Sequence, residues 1–105
     1  MKLYHATTRT ALASIQAEGL CVRYAGKDKR IQAVWLHTRS QSAWALLHTQ
    51  RRHAASLEDL VVVEVNVPRS WLTRFKTGLW YTTSDIPPAR LGRIIDGTEY
   101  ALSAK

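Results

Sequence analysis

KLYHATTRTALASIQAEGL, residues 2–20, decides how the chain is read. Leu3 and Tyr4 make an apolar, strand-like step that ends at His5. Thr8 or Thr10 can then cap a helix in which Leu12 and Ile15 face the core. Gly19 suits the left-handed position after a helix, with Leu20 folding back over Ile15. The stretch predicts a strand over 2–5 followed by a helix. A histidine at the end of a strand, flanked by small residues (Ala6, Thr7, Thr8), can present its ring to a ligand. The ordinary alternative is a buried structural histidine, and both stand at this point.

The same order recurs downstream. AVWLH (33–37) reads as a second strand, and TRSQSAWALLHTQRRH (38–53) as an amphipathic helix with apolar positions at Ala43, Trp44 and Leu47 and a basic end at Arg51 and Arg52. Between the two units RYAGKDKRIQ (23–32) has no periodicity and reads as an exposed loop. LVVVEVNVP (60–68) alternates, with Val61, Val63, Val65 and Val67 on one side and Val62, Glu64 and Asn66 on the other, until Pro68 stops it. RSWLTRF reads as one or two helical turns, GLWYTT as a strand, and SDIPPARL as an extended connection. GRIIDGTEYAL reads as two short strands about Asp96-Gly97. Five or six strands with two helices early in the chain predict an α+β fold with a mixed or antiparallel sheet carrying two packed helices.

At 105 residues the chain is expected to form a single domain, 1–105. No stretch approaches the ~20 consecutive apolar residues of a membrane span, and MKLYHATT lacks the apolar core of a secretory signal, so the expectation is a cytoplasmic protein with no membrane partner. The single Cys21 makes no internal disulfide and reads as a small buried hydrophobe. Fifteen Lys and Arg against eight Asp and Glu give a formal net charge of +7. The excess is concentrated at Arg23, Lys27, Lys29, Arg30, Arg39, Arg51 and Arg52, opposed over that span by Asp28 alone. Such a surface attracts nucleic acid or a phosphate-bearing small molecule.

The five glycines are scattered singly, which excludes the glycine-rich phosphate loops. His48 and His53 lie five apart, off a common helical face, and no Cys or acid stands near them at ligand spacing, so no metal is expected. Tyr4, Trp35, Trp80 and Tyr81 fall in predicted strands. They read either as core or as the lining of a slot for a flat heterocycle.

LYHATTRTALASIQAEGL resembles the opening motif of the ADP-ribosyltransferase superfamily. The order of Arg30, VWLHT, VVVEVNV and GLWYTTSDIPP is similar to that of the tRNA/RNA 2′-phosphotransferases over roughly residues 3–91. The resemblance implies an ADP-ribosyltransferase-like sheet and NAD as co-substrate, with no metal. It implies that His5 bonds the NAD ribose, that the Ala6 backbone and Thr7 meet the nicotinamide end, that Trp35 stacks on nicotinamide, and that Arg30 contributes to the cofactor site. Leu79 falls at the third catalytic position, where transferases acting on proteins carry Glu and the phosphotransferases an apolar residue. Glu64, Asp85 and Glu99 are the acids that can substitute. The implied activity is ADP-ribosyl transfer, or a phosphotransferase-type use of NAD, onto an RNA, DNA or phosphorylated acceptor held by Arg51 and Arg52. The alternative is a catalytically inactive NAD, ADP-ribose or nucleic-acid binding module of the same fold.

Overall fold

The computed structural model describes residues 1–25, 27–28 and 31–103. Its strands are β1 (Lys2–Thr8), β2 (Lys27–Asp28), β3 (Ile31–Gln32), β4 (Val34–His37), β5 (Leu60–Asn66), β6 (Thr73–Lys76), β7 (Leu79–Thr82) and β8 (Leu91–Asp96). The helices are α1 (Leu12–Glu18), α2 (Ser42–His53) and α3 (Gly97–Ser103). Six strands form one sheet in the order β6-β7-β4-β1-β5-β8, and β2 with β3 makes a separate two-stranded ladder. Every pair is antiparallel. The expected α+β class holds, with an antiparallel sheet. Among the described residues no helix is long and apolar enough to cross a membrane.

Alternation along the strands builds two cores. Leu3, Val34, Leu36, Val65 and Trp80 pack with Ile15 of α1 and with Leu20 and Ile86 on one face. Tyr4, Leu60, Val62 and Ile95 pack with Leu46 of α2 and Tyr100 of α3 on the other. Val61, Val62, Val63 and Val65 are wholly buried, so β5 is covered on both sides. Each such side chain contributes about 1.5–3 kcal/mol by leaving water.

Gly19 does more than end α1. Its φ is +81°, and its N–H bonds the Ile15 carbonyl at 2.8 Å. The chain then runs straight into a two-way bridge, Leu20 N to Ile86 O and Ile86 N to Leu20 O, both 2.9 Å. This ties α1 to the segment after β7.

Several expectations are corrected. The first strand runs past His5 to Thr8, because β1 pairs with β5 along its whole length, from Lys2↔Asn66 to Thr8↔Leu60. The helix after it has no side-chain cap; Thr8 and Thr10 bond each other instead. Part of the expected loop is the β2–β3 ladder. RSWLTRF gives a single 3-10 turn, Arg69–Trp71, and then strand β6.

The second helix is rotated from the expected face. Ser42, Ala45, Leu46 and Thr49 are buried, whereas Ala43, Trp44 and Leu47 are exposed. The Thr49 hydroxyl tolerates burial because it donates to the Ala45 carbonyl at 2.7 Å.

The largest correction is at the end. Asp96-Gly97 is not a hairpin turn: β8 stops at Asp96 and a third helix begins. A Cβ at residue 97 would lie 2.7 Å from the Leu57 carbonyl oxygen, so only glycine lets the chain pass this close. One helical turn further on, Tyr100 reaches the sheet and is fully buried.

Candidate functional site

The sheet is not uniformly knit. Between β1 and β4 the ladder is a single pair, Tyr4↔His37. Beyond it the strands part, and a cleft of about 350 Å³ occupies the opening. α1 and α2 wall it from the two faces, through Ser14 and Ile15 on one and Ala45, His48 and Thr49 on the other.

His5 sits at the split. Its Nδ1 lies 2.9 Å from the Trp35 carbonyl oxygen. A carbonyl only accepts, so Nδ1 carries the proton and donates. The neutral ring therefore keeps an Nε2 lone pair, an acceptor for a ligand proton. Burial lowers the pKa of His5; the bond to Trp35 opposes this, and the positive charge of Arg52 with His53 adds to the lowering. The ring is neutral at pH 7.

Trp35 also borders the cleft, but in a different manner from that expected. The Tyr4↔His37 register puts its indole on the face of α2 and α3, while His5 belongs to the face of α1. What meets His5 is the Trp35 backbone. The indole packs against Tyr81, with centroids 5.0 Å apart, and Phe75, 5.3 Å away at an interplanar angle of 85°. Its Nε1 is buried without a partner among the described residues. The carbonyl of Trp35 orients the imidazole, and the indole borders the same cleft from the other face of the sheet.

Ala6 and Thr7 line the same opening. Among the described non-glycine residues only Ala54 has a positive φ, so Ala6 keeps ordinary strand geometry and its methyl costs the backbone nothing there. Leu79 is buried opposite His37 and contributes an apolar patch. Arg52 lines the cleft; Arg51, its exposed neighbour, does not. Arg30 lies outside the described residues.

None of the candidate acids is at the site. Glu64 stands 4.0 Å from Lys2, Asp85 accepts the Val22 N–H at 2.8 Å, and Glu99 stands 3.7 Å from Arg93. No carboxylate is among the described residues that line the cleft. No three His, Cys, Asp or Glu side chains among the described residues stand close enough to hold a metal ion. Cys21 lines the cleft, its Sγ directed at the Glu18 carbonyl at 3.5 Å.

Sequence reasoning missed two contributors. His37 lines the cleft and is 4% exposed. Burial, with His5 beside it, pushes its pKa down to about 3. The signal was present: His37 lies two residues beyond Trp35 and so shares its face of β4. The second is the pair Trp44 and His48, which with the expected Arg52 stand at successive i+4 positions of α2 along the cleft. Trp44 and His48 stack at 4.9 Å with planes 10° apart. Comparison of the chain with protein-family models and with curated proteins finds no match.

Proposed function

We propose that the cleft between β1 and β4 binds NAD and supports transfer of its ADP-ribosyl group. The observation that carries this reading is the state of His5. It is a neutral imidazole, oriented by a backbone carbonyl, whose Nε2 has no bonding partner among the described residues, in a cleft that Arg52 lines and to which no described residue adds a carboxylate. A ribose hydroxyl is a fitting donor to that nitrogen, and Arg52 a fitting partner for a diphosphate. At about 350 Å³ the cleft is near the low end of small-ligand pockets, about 300–1,000 Å³. It suits the nicotinamide riboside half, with the rest of the dinucleotide over α2.

The chemistry this site supports rests on positioning. The bond from ribose C1 to the nicotinamide nitrogen breaks with its electron pair passing to the ring, which leaves neutral. An acceptor oxygen attacks C1 and loses its proton. The apolar wall of Leu79 offers no carboxylate to steady the cationic ribose, so alignment of acceptor and C1 provides the main acceleration. The same observation favours a second reading, in which NAD or ADP-ribose is held without turnover.

Incubation with NAD separates the two. Free nicotinamide that accumulates with the wild-type protein, with or without RNA, supports transfer or hydrolysis; saturable NAD binding without release supports the binding module. His5→Ala is expected to weaken NAD binding roughly tenfold, the worth of one ligand hydrogen bond in a partly buried site. Unchanged affinity in a folded His5→Ala protein would remove His5 from the pocket.

A further inference from the structure

We propose that His37 is a ligand-contacting residue of the cleft, a hydrogen-bond donor of fixed polarity whose proton is placed by Tyr100. The inference rests on the reading of the cleft as a site for a ribosyl ligand and adds to it a residue and a direction.

Tyr100 is wholly buried, and its hydroxyl lies 3.0 Å from His37 Nε2. Two arrangements fit that distance. If Nε2–H donated to the phenol oxygen, the phenolic proton would be left buried with no acceptor among the described residues, at the cost of an unmade hydrogen bond. If the hydroxyl donates to Nε2, its proton is satisfied and the imidazole proton must sit on Nδ1. The second arrangement leaves nothing buried and unpaired.

The surroundings hold the phenol as a donor. Burial raises its pKa to about 12, so it stays protonated. The Arg39 guanidinium lies 5.0 Å from the Tyr4 ring centre and 5.2 Å from that of Tyr100. It also donates to the Tyr4 hydroxyl at 3.3 Å and to Ser103 Oγ at 3.0 Å. α3 is thereby pinned beneath β1 and β4, and the Tyr100 hydroxyl with it.

His37 Nδ1 has no bonding partner among the described residues, yet the one buried unpaired side-chain polar atom there is Trp35 Nε1. Nδ1 therefore keeps a little exposed surface on a residue only 4% exposed, and the space that His37 borders is the cleft. The cleft then carries two neutral imidazoles of opposite sense. His5 offers an acceptor at Nε2, and His37 offers a donor at Nδ1. By the register His5 belongs to the α1 face and His37 to the face of α2 and α3, so a ligand that spans the split, as the ribosyl compound proposed above would, meets an acceptor from one side and a donor from the other.

Tyr100 is a positioning residue in this scheme, and the test reads the proton as well as the affinity. Long-range 1H–15N correlation of the histidine rings in the 105-residue protein is expected to show His37 protonated on Nδ1. In Tyr100→Phe the Nε2–H tautomer should gain population, and ADP-ribose should bind roughly tenfold more weakly. His37→Asn, whose amide nitrogen falls near the Nδ1 position, should keep affinity within about threefold, whereas His37→Gln, which mimics Nε2, should lose roughly tenfold. A wild-type Nε2–H tautomer, or equal ADP-ribose affinities for the folded Asn and Gln variants and the parent, would overturn the inference while leaving the proposed function standing. Failure of the wild-type protein to bind ADP-ribose would overturn the ligand class together with that function.

Discussion

Gly19→Ala is expected to lower the unfolding free energy by about 3 kcal/mol or more, and the melting temperature by roughly 4–8 °C for each of them. Two costs add. The backbone at this residue, φ +81° and ψ −163°, lies in a region that residues with a Cβ essentially do not occupy. A Cβ built there would also fall 2.0 Å from the Ile86 carbonyl oxygen and 3.0 Å from carbonyl carbons of Ile86 and Pro87. These are backbone atoms held by the Leu20–Ile86 bridge, so neither can step aside without breaking it. Gly92 is the control: its nearest neighbour would be the Glu64 Cβ at 3.3 Å, and Gly92→Ala should shift the melting temperature by a few degrees at most. Equal melting temperatures for the two variants would show that the α1 exit is not fixed as described. Gly19 and Leu20 also line the cleft, so the Gly19→Ala protein should lose ligand affinity along with stability.

Acid should destabilise the protein through His37 well before its carboxylates titrate. In the fold the pKa of this residue is about 3, against 6.5 for an unperturbed histidine. Between those values the unfolded chain binds a proton that the folded one refuses, so stability falls as pH falls. The contribution is complete above about pH 6.5 and declines below it by up to about 1.4 kcal/mol for each pH unit. His5, shifted in the same direction by burial, adds to the slope. Urea unfolding midpoints measured from pH 7 to pH 4 should therefore drop steeply in the wild type and less so in His37→Gln, which has no imidazole to protonate there. Identical slopes would mean that His37 accepts a proton within the fold.

The place of His5 at the cleft was legible in the sequence, and its partner was not. His5 announces itself through its place at the end of an apolar step among small residues. Its orientation depends on the Trp35 carbonyl, a backbone atom of another strand, which no side-chain pattern encodes. Trp35 was expected at the site and does line the cleft, but its surroundings were not legible, for a related reason. Aromatic character marks a residue as worth burying against something, but the choice between a ligand and Tyr81 with Phe75 is made by the β4–β7 register. α2 shows the limit of periodicity when a helix carries apolar residues nearly all round. Trp44 and Leu47 look like core, yet the buried face is Ser42, Ala45, Leu46 and Thr49, half of it polar and so hidden from a count of apolar positions. The C-terminal misreading came from Asp96-Gly97, a dipeptide that favours hairpins. There the glycine is required by a close pass at Leu57, and the burial of Tyr100 decides for helix. The valine strand was read correctly because its alternation and terminating proline agree with its tertiary surroundings, which is where local and global preferences coincide.

The measurement that bears most directly on the cleft is chemical-shift mapping of NAD on the isotopically labelled protein. Saturable shifts are expected, centred on the amides of His5, Ala6 and Thr7 and on the His5 ring, with the α2 residues His48 and Arg52 moving at the same ligand concentration. Shifts gathered on the outer edges, at β6 or β8, or none at millimolar NAD, would contradict binding in the cleft.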